Sequence, residues 1–73
     1  MVLGEYEKVV ADALRSVSTG PWTATDLPRV QEVISDDFCR SYGPECKASA
    51  VLDWLRSMDG AQREDLLFQL NAH

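Results

Sequence analysis

The stretch Arg40-Ser41-Tyr42-Gly43-Pro44 decides how this chain folds, because it contains the features that end one helix and begin another. An arginine favours the negative end of a helix dipole, and a glycine accepts the left-handed backbone that closes a last turn. Pro44 cannot continue the preceding helix, whereas it suits the first turn of the next one. The stretch therefore predicts a helix boundary at Gly43.

The same signal occurs twice more, as Arg15-Ser16-Val17 to Gly20 and as Arg56-Ser57-Met58 to Gly60. The separations between the three signals are unequal, so they are not a repeat of fixed period. Three stops divide the 73 residues into four segments with almost no room for a sheet. We therefore predict an all-α fold, a compact bundle of four short helices that forms a single domain over residues 1–73.

Apolar residues at helical spacing locate the first two helices. The first is expected near residues 4–17, with acidic residues early and arginine late. The second opens with Thr25 or Asp26 as N-cap and with Pro28 in the first turn, where its missing N–H costs little. This second helix is expected to continue as far as Gly43.

The third helix is expected from Pro44 to Asp59, and the fourth over about residues 61–71. Asp59 and Gln62 have the spacing of a capping box, which predicts the start of the fourth helix. The inward faces of the four helices are predicted from the apolar stripes, which consist of Leu3, Tyr6, Val9, Val10, Ala13, Leu14 and Val17; Leu27, Val30, Val33, Ile34 and Phe38; Ala48, Val51, Leu52, Leu55 and Met58; and Leu66, Leu67 and Leu70.

The charge balance is acidic, with 12 acidic against 7 basic residues and a net charge of −5. The basic residues are spread singly, so no cluster can neutralise several phosphates at once, and we expect no direct binding to nucleic acid. The charge instead favours attraction to basic surfaces. No apolar run approaches the roughly 18 residues of a membrane span, and no signal peptide is evident, so we expect the protein in the cytoplasm. We also expect it to be a monomer.

Residues for catalysis or metal binding are scarce. The only histidine is His73, at the end of the chain, and Cys39 and Cys46 lack two further soft ligands. We therefore expect no enzyme activity, no cofactor and no metal site. Both cysteines are expected to stay reduced, and a disulfide across the turn between them is the alternative.

Two kinds of side chain are candidates for contact with a partner. Glu32, Asp36 and Asp37 form either an exposed acidic face or a docking patch for lysine and arginine. The tryptophans and a tyrosine either complete the small core or supply an interface hot spot, because large aromatic side chains dominate binding energies. The predicted partner-binding residues are thus Trp22, Glu32, Asp36, Asp37, Tyr6 and Trp54, and Tyr42 could extend the patch.

In length, acidity and lack of catalytic residues, the whole chain resembles the small phage-encoded regulators that bind host bacterial RNA polymerase. The resemblance implies a protein of the host cytoplasm that blocks transcription initiation by competing with a specificity factor or with promoter DNA. The preferred hypothesis is accordingly an acidic binding module that docks on a larger protein with a basic surface.

Two alternatives remain open. One is a DNA-associated regulator or antitoxin-like protein in which the second and third helices form a helix-turn-helix, although the would-be recognition helix has a net negative charge. The other alternative is a structural subunit of a larger assembly.

Overall fold

The helices of the protein are defined by a computed structural model that describes residues 4–43 and 46–72. Within these residues the chain is 78% helical and contains no strand. The helices are α1 (Glu5–Val17), α2 (Leu27–Val33), α3 (Asp36–Cys39), α4 (Ala48–Arg56) and α5 (Gly60–Ala72), with 3₁₀ turns at Ala24–Asp26 and Arg40–Tyr42. The all-α prediction is confirmed, but the described residues form five helices where four were expected.

The additional helix arises because the predicted second helix breaks after α2. Ile34 and Ser35 adopt extended backbone conformations, with ψ angles of 120° and 171°. The Ser35 hydroxyl accepts a hydrogen bond from the Phe38 N–H at 3.3 Å, and two acidic residues follow in the first turn of α3. A serine cap followed by acidic residues stabilises a new helix start, so the expectation of one continuous helix here is wrong.

The third predicted helix is shorter than expected at both ends. Lys47 is extended and precedes the first residue of α4, so Cys46 and Lys47 lie outside the helix. The predicted role of Pro44 as the first helical residue falls outside the described residues. At the other end α4 stops at Arg56, and Asp59 caps the next helix instead of ending this one.

The fourth helix begins as predicted. The Asp59 N–H donates to Gln62 Oε1 at 3.0 Å, and the Gln62 N–H donates to Asp59 Oδ1 at 2.8 Å. This capping box fixes the start of α5 and satisfies two backbone donors that the helix itself cannot pair.

The glycines of the three stop signals do not all act alike. Gly20 and Gly43 have φ angles of 87° and 103°, a conformation that favours glycine. Gly60, by contrast, is the first residue of α5, so the prediction that it closes the preceding helix is wrong.

The three Arg-Ser pairs share a geometry that includes an aspartate three residues before each arginine. Each arginine forms an ion pair with this aspartate, and each serine hydroxyl donates to the carbonyl oxygen three residues earlier. Arg40 therefore pairs with Asp37. The pairs are Arg15–Asp12, Arg40–Asp37 and Arg56–Asp53, and the hydroxyl bonds are Ser16 to Ala13, Ser41 to Phe38 and Ser57 to Trp54.

A hydrophobic core joins all five helices. It consists of Val9, Val10, Ala11, Ala13, Leu14, Leu27, Val30, Ile34, Cys39, Ala48, Val51, Leu55, Leu66, Leu67 and Leu70. Helix α1 contributes the largest share and packs against both α2 and α5. The predicted inward residues Val33, Phe38, Leu52 and Met58 are only partly buried, so they lie at the margin of the core.

None of the helices in the described ranges is long and apolar enough to cross a lipid bilayer.

Candidate functional site

Two of the predicted partner-binding residues, Tyr6 and Trp54, lie in contact. Their ring centroids are 5.5 Å apart and the ring planes are inclined by 56°. Both side chains are half-buried and pack against the core. The tilted arrangement suits the quadrupoles of two aromatic rings, and it leaves part of each ring at the surface.

The positions of the two rings follow from the helices that carry them. Tyr6 is in the first turn of α1, at the N-terminal end of the helix. Trp54 belongs to α4, where its neighbours Val51 and Leu55 are fully in the core. Since Trp54 lies beside this buried stripe, its ring bridges the core and the solvent.

A surface groove of about 270 Å³ surrounds Trp54, between the start of α1, the end of α4 and α5. A second hollow, lined by Glu5, Tyr6, Glu7 and Trp54, adjoins it through Glu7 and Trp54. We call the two together the Trp54 groove. We call its apolar lining residues, Tyr6, Trp54, Met58 and Leu66, the floor, and its acidic lining residues, Glu5, Glu7 and Asp65, the rim. The uncharged polar residues Ser57, Gln62 and Gln69 complete the lining.

The rim gives the groove a negative charge. Among the described residues, Glu5, Glu7 and Asp65 take part in none of the ion pairs. Asp65 accepts a hydrogen bond from Gln69 Nε2 at 3.0 Å, which leaves its charge in place. The rings and carboxylates together can hold a cation, because aromatic faces and carboxylates both attract positive charge.

Tyr42 lies across a neighbouring hollow from Tyr6. This hollow is also lined by Glu5, Lys8 and Cys46, so Lys8 is the basic residue nearest to the site along α1. The Tyr42 hydroxyl donates to Asp12, and its ring centroid lies 5.9 Å from that of Phe38. Tyr42 therefore links the 3₁₀ turn after α3 to α1.

The predicted acidic face is divided between two helices. Glu32 is in the last turn of α2, whereas Asp36 and Asp37 begin α3. All three side chains are exposed. Asp37 lies 3.2 Å from Arg40 in an ion pair whose side chains are more than four-fifths exposed. Such pairs contribute little to stability.

Trp22 has extensive contacts within the protein. Its backbone N–H donates to Asn71 Oδ1 at 2.8 Å, and Asn71 Nδ2 donates back to the Trp22 carbonyl at 3.0 Å. Its indole N–H donates to the Ser18 carbonyl at 3.1 Å. These bonds tie the connection after α1 to the end of α5, and they give Trp22 a structural role.

The six predicted residues thus occupy three places: Tyr6 and Trp54 at the Trp54 groove, Trp22 against the end of α5, and the acidic residues around the break between α2 and α3.

Cys39 is the last residue of α3 and Cys46 lies two residues before α4, both as free thiols. Burial raises the pKa of Cys39 to about 12, with further contributions from a hydrogen bond to Cys46 and from the charges of Cys46 and Asp36. A thiol with so high a pKa is a poor nucleophile. Among the residues that can be described, no group of three metal-binding side chains occurs.

Sequence reasoning missed several residues of the surface. It did not single out Glu5, Glu7 or Asp65, because rim charges are recognised only when their helices are brought together. It also missed Phe68, whose side chain is 74% exposed. The helical period could have shown this, since Phe68 lies opposite the stripe of Leu66 and Leu70.

Comparisons with protein families, with curated proteins and with solved structures give no match to this chain.

Proposed function

We propose that the protein is a small acidic binding module that docks on a larger nucleic-acid machine, such as bacterial RNA polymerase, and blocks transcription initiation. The observation that carries this proposal is the Trp54 groove, in which the aromatic pair of Tyr6 and Trp54 lies at the surface inside an acidic rim. Tryptophan and tyrosine are frequent anchors of protein interfaces. Carboxylates around such an anchor steer a basic partner towards it.

The net charge of −5 supports a partner from nucleic-acid machinery. Proteins that bind nucleic acid present basic surfaces to the phosphates, so an acidic module is complementary to them. A module bound at such a surface would compete with promoter DNA or with a specificity factor for the same residues. The small size also suits action by docking, because 73 residues leave little room for a deep catalytic cavity.

The test is binding to bacterial RNA polymerase by surface plasmon resonance, together with promoter-directed transcription. We expect the wild type to bind and to inhibit initiation. Trp54→Ala should weaken binding about thirtyfold, which corresponds to ~2 kcal/mol for a hot spot. Phe68→Ala is the matched control, because it removes an exposed aromatic ring outside the groove.

Failure of the wild type to bind the polymerase or to affect initiation would contradict the proposal. A DNA mobility-shift assay at physiological salt addresses the helix-turn-helix alternative. In α4 the acidic Asp53 lies 3.9 Å from Arg56, so a phosphate near this arginine would also meet the negative charge of Asp53. Tight, sequence-dependent DNA binding by the isolated protein would favour the DNA-associated regulator instead.

A further inference from the structure

The composition of the Trp54 groove restricts what can occupy it. The floor of Tyr6, Trp54, Met58 and Leu66 is apolar and aromatic, and the rim provides carboxylates on two sides. Glu5 and Glu7 lie on α1, whereas Asp65 lies across the groove on α5. An occupant must therefore combine an apolar stem with a positive end.

Two of the three basic residues near the groove have partners of their own. Arg56 forms the ion pair with Asp53, and Arg63 Nη2 donates to the Leu55 carbonyl at 3.4 Å. The third, Lys8, is exposed and lines the neighbouring hollow together with Glu5 and Tyr6. Among the described residues, no ion pair neutralises Glu7 or Asp65, so these carboxylates are open to positive charge from another molecule.

We propose that the Trp54 groove binds a lysine or arginine side chain carried by an amphipathic segment of the partner protein. The alkyl stem lies along Met58, as the stems of lysine and arginine do on apolar surfaces. The charged end lies over the rings of Tyr6 and Trp54, within about 6 Å of a centroid, between the carboxylates of α1 and α5. This inference rests on the proposed function, and it names the chemistry of the partner.

The partner segment is expected to be basic and amphipathic rather than uniformly charged. A uniformly charged chain would contact only the acidic rim and would leave the exposed part of the apolar floor in contact with water. Burying the floor adds roughly 25 cal/mol per Å² of apolar surface. The combination of apolar and basic residues therefore uses both parts of the groove.

The experiment uses a short amphipathic leucine/lysine peptide and a leucine/glutamate peptide with the same apolar pattern. Binding is followed by the fluorescence of Trp54 in a Trp22→Phe background, where Trp54 is the sole tryptophan. We expect the lysine peptide to shift the emission and to saturate, and the glutamate peptide to have no effect. Absence of binding by the lysine peptide would overturn the inference.

Two triple variants test whether the groove or the overall charge is responsible. E5Q/E7Q/D65N neutralises the rim, and E32Q/D36N/D37N neutralises the acidic residues around the α2–α3 break. Both variants lose the same charge at exposed or half-buried positions. Because each also removes acidic residues from the first turn of a helix, circular dichroism checks that both keep the helical content of the wild type. We expect about tenfold weaker peptide binding for the rim variant, equivalent to ~1.4 kcal/mol, and at most a small change for the other.

Equal loss in the two variants would overturn the inference, because overall charge would then suffice. The same variants measured against RNA polymerase separate this inference from the proposed function. If the rim variant still binds the polymerase and the wild type does not bind the lysine peptide, the inference is overturned but the proposed function is not. Peptide binding at the groove without any polymerase binding supports the groove and overturns the function.

Discussion

Cys39 shows how the environment of one residue couples folding to pH. Its side chain is 2% exposed, and burial raises its pKa from 9.0 to about 12. Above about pH 9 the unfolded chain therefore releases this proton while the folded protein retains it. The contribution to stability is fully present below the unfolded pKa and is lost as the pH rises through the folded pKa.

We predict that the free energy of unfolding falls more steeply for the wild type than for Cys39→Ala between about pH 8 and about pH 10.5. Urea denaturation under reducing conditions at both pH values measures this difference. The other side chains are common to both proteins, so the difference between the two profiles reports the removal of the Cys39 thiol. Parallel pH profiles for the two proteins would contradict the assigned cause.

At the scale of elements, helix ends decide the path of this chain. Each Asp-x-x-Arg-Ser stretch forms an ion pair and a hydroxyl bond at the end of a helical segment. The arginines also favour the negative end of the dipole. Individually these contacts contribute little, but they mark the same three boundaries that the sequence indicated.

The cap at Ser35 has the opposite effect, because it begins a helix within a predicted one. We predict that Ser35→Ala lowers the free energy of unfolding by about 1 kcal/mol, since the Phe38 N–H loses its side-chain partner. Thermal or urea denaturation measures the change. Ser49→Ala, at an exposed position in α4, is the control and should be nearly neutral.

If Ser35→Ala instead stabilised the protein, the cap would not be the cause of the break, and continuation of α2 into α3 would be favoured.

The elements show what the sequence could and could not predict. Helix α1 was predictable because it has a long apolar stripe. Helix α5 was predictable because a capping box precedes its three inward leucines. The break at Ser35 was missed because Asp36 and Asp37 were interpreted as an acidic face rather than as the first turn of a helix. Whether the chain breaks at Ser35 depends on whether the Ser35 cap is more stable than continuation of the helix. The periodicity of apolar residues alone does not reveal this difference.

The candidate site was predictable only residue by residue. Tyr6 and Trp54 were singled out as aromatic residues, and the structure places them together. Trp22 was grouped with them on composition, but the bonds to Asn71 and Ser18 hold it elsewhere. Asn71 follows Trp22 by 49 positions, and no local pattern indicates such a contact.

At the scale of the whole molecule, the core and the surface are supplied by different parts of the same helices. A chain of 73 residues has a small margin of stability, roughly 3–5 kcal/mol. Helix α1 contributes to both the core and the candidate binding surface, because its middle lies in the core and its first turn lies at the Trp54 groove. Substitutions at the groove should therefore change binding with less effect on folding than substitutions at Val10 or Leu14.

The division between an acidic rim and an aromatic floor predicts distinct kinetic effects on binding to RNA polymerase. Reversing Glu5 and Glu7 to lysine should slow association and flatten its dependence on salt, because exposed charges act mainly on the encounter. Trp54→Ala should instead speed dissociation and leave the association rate nearly unchanged, because the buried anchor acts after the encounter. Surface plasmon resonance over a series of salt concentrations separates the two rates.

Reversal of Glu32, Asp36 and Asp37 to lysine is the comparison for this prediction. These residues do not line the Trp54 groove. Their reversal should therefore slow association less than reversal of Glu5 and Glu7, even though reversing three residues changes the net charge more than reversing two. A larger effect from this triple reversal would move the docking surface to the break between α2 and α3. The aromatic pair would then be a part of the core margin, as its half-burial also permits, and Trp54→Ala would lower stability without a specific effect on dissociation.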